Sequence, residues 1–324
     1  MKCARPVRFY RDDRNNVHHN SSRYFVKSEG FHPCGYCIHC RIRQSYDKAI
    51  RMVHESKFHD QSCFLTLTYS DDKLPPSGSL NYLDVTNFIK RLRRSLESTK
   101  YDQQLSYYRV GEYGSKFSRP HYHMVLFGYD FSDPIEYKGV LNAKTPSGRK
   151  SDRTYYKSSF ATDCWSHGFV DIGSVDFSTC MYTAKYVTKK LYGSSASAYG
   201  SLESERSSSS KKSPIGLRWI QKYYSDVYPG DFVLFEGKKF PPPRFYDSWL
   251  EKNHPSLFRE VKRKREDSSL DMYPDYRDLH AKHVIAVQKQ RSFLRDGCAP
   301  NLSVDEALLE RSALNLQDIA KGHL

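Results

Sequence analysis

No stretch of the 324 residues approaches the ~18 consecutive apolar residues that a membrane-spanning helix requires. The opening MKCARPVRFYRDDRNN has no apolar segment of signal-peptide length. No membrane partner is therefore expected, and an intracellular location is. There is no G-x-x-x-x-G-K-[ST] pattern, which excludes a P-loop ATPase motif, and there is no internal repeat. Acidic residues are scarce beside basic ones, 37 against 51, for a net charge of +14. Such an excess points to a polyanionic partner. Tryptophan is rare at 3 residues, whereas tyrosine reaches 25. Tyrosines interleaved with Arg and Lys suit single-stranded nucleic acid, whose bases stack on rings while its phosphates meet cations. Tyrosine is also a common strand residue, so composition indicates the class of partner and no more. In a reducing compartment the eight cysteines read as metal ligands or buried thiols rather than disulfides.

Three regions follow from composition: 1–193, which carries the chemistry; 194–213, crowded with serine and read as a linker or mobile loop; and 214–324, an extension that is aromatic and proline-rich, then charged with a helical pattern. In the first region Ile42, Tyr46, Ala49, Ile50 and Val53 share a helical face. Leu65, Leu67 and Tyr69 alternate with Phe64, Thr66 and Thr68, predicting a strand over 63–69 closed by a Pro-Pro-Ser-Gly turn. Asp84 is placed to cap a helix with Val85, Phe88, Ile89, Leu92 and Leu96 on its apolar face, while Lys90, Arg91, Arg93 and Arg94 fall mostly elsewhere. Segments 105–113 and 121–128 predict an antiparallel hairpin. Residues 130–160 read as a polar insertion, 168–175 as a strand, and Ser178 as the cap of a helix over 179–192. FPPPRFY at 240–246 reads as extended, and Ser303 with Glu306 fits a capping box for a last helix.

The hairpin carries the first candidate site. In RPHYHMVLFG (119–128) the side chains of His121 and His123 point to one side of the strand. A turn near 116 or 117 sets Glu112 opposite His121. Two imidazoles and a carboxylate then converge on a divalent ion. Mixed N and O donors suit Mn or Mg beside phosphates, although histidines also favour Zn. The competing reading is a strand with two exposed histidines and an unrelated glutamate. H-x-H alone is too short to decide, and the facing carboxylate favours the metal.

The second candidate is CMYTAKYVTKK (180–190). At roughly 100° per residue, Tyr182, Lys185, Tyr186 and Lys189 fall in one sector, with Met181, Ala184, Val187 and Leu191 opposite. Here the competing reading is a basic helix that grips phosphates with tyrosines as spacers. A phenol of ordinary pKa, roughly 10, is a poor nucleophile. It attacks a phosphodiester when a metal polarises the phosphate and a lysine stabilises the growing charge. The histidine strand and the tyrosine helix therefore need each other.

In this order, FLTLTY, then GEYG…RPHYH, then YTAKYVTKK, the chain resembles the three motifs of HUH endonucleases that initiate rolling-circle replication. It is most similar to the replication initiation proteins of microviruses of the gokushovirus type, through CGYCIHC, FLTLTYSDDKLP, VGEYG, RPHYH, YTAKYVTKK and GKKFPPPRFYD, which span the chain to about residue 250. The family's residue between the histidines is usually bulky and hydrophobic, and Tyr122 is a variant of it. The resemblance implies an α+β fold, an antiparallel sheet with flanking helices related to RNA-recognition folds. It also implies a reaction at single-stranded or extruded DNA of a phage origin. One tyrosine attacks a phosphodiester, stays joined to the 5′ phosphate and frees a 3′ hydroxyl that primes a polymerase. A second tyrosine permits another round and closure of a circle. Glu112, His121 and His123 would bind Mg or Mn, Tyr182 and Tyr186 would be nucleophiles, and Lys185 and Lys189 would assist. A host helicase and DNA polymerase are implied partners, and the cytoplasm of a bacterial host the location. The rival classes are a non-enzymatic, zinc-stabilised single-stranded nucleic-acid-binding protein and a plasmid relaxase or transposase of the same chemistry.

The third candidate is CGYCIHC, where Cys34, Cys37 and Cys40 stand at two-residue gaps and need a fourth ligand for tetrahedral zinc. Cys3 is the natural choice, with His32 and His39 as alternatives. An iron–sulfur cluster uses similar spacings, and the structural zinc site is favoured. Cys63, Cys164, Cys180 and Cys298 are isolated and read as core residues. KRKR at 262–265 reads as a phosphate-facing or solvent-exposed helix face.

Overall fold

The computed structural model describes residues 3, 6–12, 14, 16–19, 28–35, 37–98, 104–114, 119–133, 135–137, 155–189, 199–235 and 237–272. The chain divides into two compact units, residues 1–43 with 254–324, and residues 44–253. In the first, β1 (Val7–Arg11), β2 (Val17–His18) and β3 (Ser28–His32) form an antiparallel sheet in the order β2-β1-β3. Helix α1 (Ile38–Ser56) begins in this unit, and its residues 44–56 belong to the second.

The second unit is built on β4 (Ser62–Tyr69), α2 (Tyr82–Ser98), β5 (Ser106–Tyr113), β6 (Pro120–Phe127), β7 (Ile135–Tyr137), β8 (Tyr155–Lys157), α3 (Ser159–Trp165), β9 (Gly168–Ser174), α4 (Phe177–Lys189) and β10 (Ser207–Ser209). The strands form one sheet in the order β10-β5-β6-β4-β9-β8-β7, and every pairing is antiparallel. The α+β architecture expected from the sequence is present, with β6 lying between β5 and β4. Further on come α5 (Leu217–Val227), a hairpin of β11 (Val233–Phe235) and β12 (Lys238–Phe240), and α6 (Arg244–Asn253). The last described helix, α7 (Pro255–Met272), belongs to the first unit, where Glu266 lies 2.6 Å from Arg11 of β1.

The period-two alternation of the strands divides the second unit into two cores. On one face Leu65, Leu67 and Tyr69 join Tyr122, Met124 and Leu126, and pack with Val85, Phe88 and Leu92 of α2 and Trp165 of α3. Truncating a fully buried residue such as Leu92 to Ala costs about 2–5 kcal/mol. On the other face Phe64, Tyr108, Val125 and Phe127 pack with Ala49, Met52 and Val53 of α1 and with Met181 and Ala184 of α4. Directly before Glu112, Gly111 is required by space. A Cβ there would lie 2.9 Å from both Leu80 Cδ2 and Tyr82 Oη.

Several local expectations need correction. The α2 cap is Asn81, whose Oδ1 accepts from Leu83 N at 3.1 Å. Asp84 sits one turn in and accepts from Tyr69 Oη at 2.8 Å. The α4 cap is Asp176 rather than Ser178. Asp176 Oδ1 accepts from Thr179 N at 2.6 Å while Asp176 N donates to Thr179 Oγ1 at 2.8 Å, a reciprocal box built from other residue types. Inside the serine-rich stretch, Ser207–Ser209 pair with β5, because the alternative is an unpaired backbone at a sheet edge. The polar insertion contributes β7 and β8. FPPPRFY is extended only through its prolines; Pro243 then precedes the first residue of α6, where its missing N–H costs nothing. The capping box at Ser303 and Glu306, and Cys298, lie outside the described residues.

Candidate active site

Strand pairing puts Glu112 directly opposite His121, the register the hairpin spacing predicted. The next row up runs Val110, His123, Thr66, Asp171 across four strands. His121 Nε2 lies 2.6 Å from Glu112 Oε1, and His123 Nε2 lies 3.1 Å from the same oxygen. Glu112 and His123 are buried. Burial alone would raise the Glu112 carboxyl. Hydrogen bonds from His121 and His123, with their charges, outweigh it and hold the group well below the usual carboxylate range.

The far side of each imidazole indicates what the near side is for. His121 Nδ1 faces the Arg119 carbonyl at 3.1 Å, and a carbonyl only accepts. A neutral His121 therefore carries its proton on Nδ1 and directs the Nε2 lone pair at a carboxylate oxygen. Lone pair against lone pair is unfavourable unless a cation lies between them or the ring is charged. His123 Nδ1 has Thr66 Oγ1 at 3.1 Å, an outer partner that fixes its ring. The three ligand atoms lie within 4.8 Å of one another. Two nitrogens and one oxygen, each held from behind, fit a small divalent cation.

Tyr122, between the histidines, faces the other way and is fully buried. Its Oη accepts from Asn81 N at 2.7 Å and lies 3.2 Å from Tyr69 Oη, which ties β6 to the start of α2. A phenol at this position thus joins the hydrophobic core with a polar tip that is satisfied.

Helix α4 brings both tyrosines to the histidines. The Tyr186 ring stacks on His123 with centroids 4.9 Å apart and planes at 12°. The Tyr182 ring meets His123 edge-on at 5.1 Å and Tyr186 at 5.0 Å. The two phenols differ in setting: Tyr182 is 46 % exposed and Tyr186 only 5 %. Burial, and then the neighbouring Tyr182 and Glu112, push the Tyr186 phenol far above its ordinary pKa. The helical wheel placed both tyrosines on an open side, so the burial of Tyr186 is a correction. The cause is the sheet, which rises against that turn of the helix. Lys185 is exposed beside them. Lys189 lies in α4, and its side chain is outside the described residues. Thr66 and Phe64, which stacks on His123 at 5.7 Å, were missed as site residues. The signal was in the β4 alternation, but only the strand register shows which histidine they meet.

Comparison with known proteins bears on this arrangement. The family model for the ORF2 type of replication-associated protein matches residues 62–191. Replication-associated protein VP4 of Bdellovibrio phage phiMH2K is 35% identical over 269 residues, 80% of each chain. The chain belongs to the phage replication-associated protein family. It is also 27% identical to replication-associated protein ORF2 of Spiroplasma virus 4, over 91% of this chain and 93% of that one. With replication-associated protein ORF4 of Chlamydia phage 1 it shares 27% identity over 68% of this chain and 53% of the relative. No solved structure matches. The segment matched by the family model contains Glu112, His121, His123, Tyr182, Lys185, Tyr186 and Lys189.

The cysteine cluster lies outside that segment. Cys3, Cys34, Cys37 and Cys40 bring their sulfurs within 4.8 Å of one another, so Cys3 is the fourth member rather than His32 or His39. Cys3 Sγ lies 3.8 Å from Cys37 Sγ, and Cys34 Sγ 4.0 Å from Cys40 Sγ. A tetrahedron with Zn–S bonds of ~2.3 Å has edges of ~3.8 Å. Backbone N–H groups of Cys34 and Cys37 point at the sulfurs of Cys3 and Cys34, at 3.3 and 3.4 Å. Cys63, Cys164 and Cys180 are buried, as core thiols are.

Proposed function

We propose that this protein initiates rolling-circle replication of a phage genome by nicking and rejoining single-stranded DNA at the viral origin through a tyrosine–DNA intermediate. The observation that carries the reading is His123, which shares Glu112 with His121 on one side and stacks on Tyr186 beside Tyr182 on the other. Metal ligands and nucleophile candidates thereby meet at one residue, as the chemistry demands. Glu112, His121 and His123 would hold Mg or Mn. The bound ion would supply Lewis-acid polarisation of the scissile phosphate.

The phenol oxygen attacks phosphorus, the P–O3′ bond breaks, the phenolic proton is lost, and the departing oxygen is protonated to a 3′ hydroxyl. The 5′ phosphate remains on the tyrosine. Tyr182 is reached from solvent as it stands, whereas Tyr186 must leave the His123 ring to react. Lys185, exposed on the same helix, and Lys189 stabilise charge on the phosphate. Rejoining reverses the bond changes, with a 3′ hydroxyl attacking the phosphotyrosine. The freed 3′ hydroxyl primes synthesis by a host polymerase behind a host helicase, in the cytoplasm of a bacterial host. The four clustered cysteines hold a structural zinc ion.

The test is cleavage of single-stranded origin oligonucleotides with Mn, with Mg and with chelator, beside Tyr182→Phe, Tyr186→Phe and the double variant. A metal-dependent covalent protein–DNA product that is lost in the double variant is expected. Binding without any covalent product would favour a non-enzymatic nucleic-acid-binding protein. A product that survives loss of both phenols would mean another nucleophile.

A further inference from the structure

On β5, Arg109 is three residues from Glu112, so its side chain leaves the opposite face of the sheet. It opens into a groove of about 820 Å³ behind the tyrosine site. Five cationic side chains line this groove, Arg93, Arg109, Arg206, Lys211 and Lys212, against one carboxylate, Glu97. Arg109 is half-buried, yet its guanidinium is held by neutral hydroxyls. Nε donates to Ser208 Oγ at 2.9 Å and Nη1 to Thr86 Oγ1 at 3.0 Å. Partly burying a cation without an anion is costly. The fixed hydroxyls orient the guanidinium and leave its charge uncompensated, an arrangement that becomes favourable when an anion arrives. Arg206 lies over the Tyr82 ring at 4.1 Å and reaches Glu203 at 3.4 Å, while Lys211 and Lys212 are exposed at the rim. The floor is small and polar, with Ser208, Ser209 and Ser210 admitting a close approach. A linear array of cations with hydroxyl donors between them matches a run of phosphodiesters.

We propose that this groove binds the backbone of the DNA substrate on the face of the sheet opposite Tyr182 and Tyr186, as a second site that grips the strand away from the point of cleavage. The inference rests on the DNA reading above and assigns a separate surface. It predicts that a long origin strand occupies both faces, whereas a short strand limited to the cleaved site occupies only the tyrosine face.

The experiment is fluorescence anisotropy of both strands over a range of salt concentrations, with Lys211→Gln/Lys212→Gln and the same pair combined with Arg109→Gln, together with covalent product formation on the short strand. For single strands each lost phosphate contact reduces the slope of log K against log salt by ~0.7, so the double variant loses ~1.4 and the triple ~2.1 on the long strand. Product formation on the short strand stays at the wild-type level. An unchanged slope on the long strand, or an equal loss on the short one, overturns the proposal. Should Arg109→Gln fail to fold by circular dichroism, the exposed lysine pair still decides. If the wild type forms no covalent product on either strand, the nicking reading fails, and the slopes still report on the groove.

Discussion

Replacing Thr66 with valine keeps the shape of the side chain and removes one atom's chemistry. Thr66 Oγ1 is 3.1 Å from His123 Nδ1, the ring nitrogen that faces away from Glu112. The ring stays packed on Phe64 and Tyr186, so the perturbation falls on tautomer and orientation rather than on position. A net hydrogen bond is worth about 0.5–1.5 kcal/mol, which is roughly 2- to 13-fold in an equilibrium constant at ~1.4 kcal/mol per decade. Outer partners of metal-binding histidines are worth about 10- to 100-fold in affinity. The overlap of the two ranges gives a Mn affinity loss of about tenfold for Thr66→Val. Thr66→Ser, which retains the oxygen, should stay near wild type. The assay is a Mn titration followed by the electron paramagnetic resonance of free Mn, which needs no turnover. Nicking at saturating Mn should remain near normal. Equal Mn affinity in folded Thr66→Val and wild type would refute the role given to this hydroxyl.

Two further outcomes are expected. Purified protein should carry one zinc per chain by elemental mass spectrometry, and Cys40→Ser should lose it along with thermal stability; iron in its place would refute the zinc assignment. His54 is buried, stacks on Trp219 at 3.6 Å and lies 2.8 Å from Tyr246 Oη. Burial, and then Lys57, push its pKa from 6.5 down to about 3. The fold therefore holds His54 neutral while the unfolded chain takes up a proton. Its contribution is complete above pH 6.5 and is lost as pH falls toward 3, at ~1.4 kcal/mol per unit. Urea melts at pH 7 and pH 5 should show His54→Gln losing about 2 kcal/mol less than wild type between the two; equal losses would contradict this.

Legibility from sequence followed the range of the interactions. The hairpin of β5 and β6 and its opposed Glu112 and His121 were readable because a short connection fixes register. The tyrosine helix was readable from its period. The caps were missed because Asn, Asp and Ser compete for the same role, and Asn81 and Asp176 were won by backbone geometry that residue type does not encode. The burial of Tyr186 and the hydroxyl behind His123 depend on contacts across 63 and 57 residues of chain, between β6 and elements that composition cannot place. Arg109 carries no signal in the sequence beyond that of one more cation. Its neutral cradle comes from Thr86 on α2 and Ser208 on β10, and the latter strand lies in a stretch whose serines suggested a linker.

The pairing of Glu112 with His121 also sets what the chain tolerates in length. The residues between Tyr113 and Pro120 only have to return the strand to the same partner, so insertions there leave the ligands facing one another. A single residue added between Val110 and Glu112, or between His121 and His123, has the opposite effect. It turns every later side chain of that strand to the other face. One histidine or the carboxylate would then point into the packing of α2, and the arginines that now lie behind the sheet would change sides in part. A family with this hairpin can lengthen its tip freely as it diverges, while its two strands can change only by substitution.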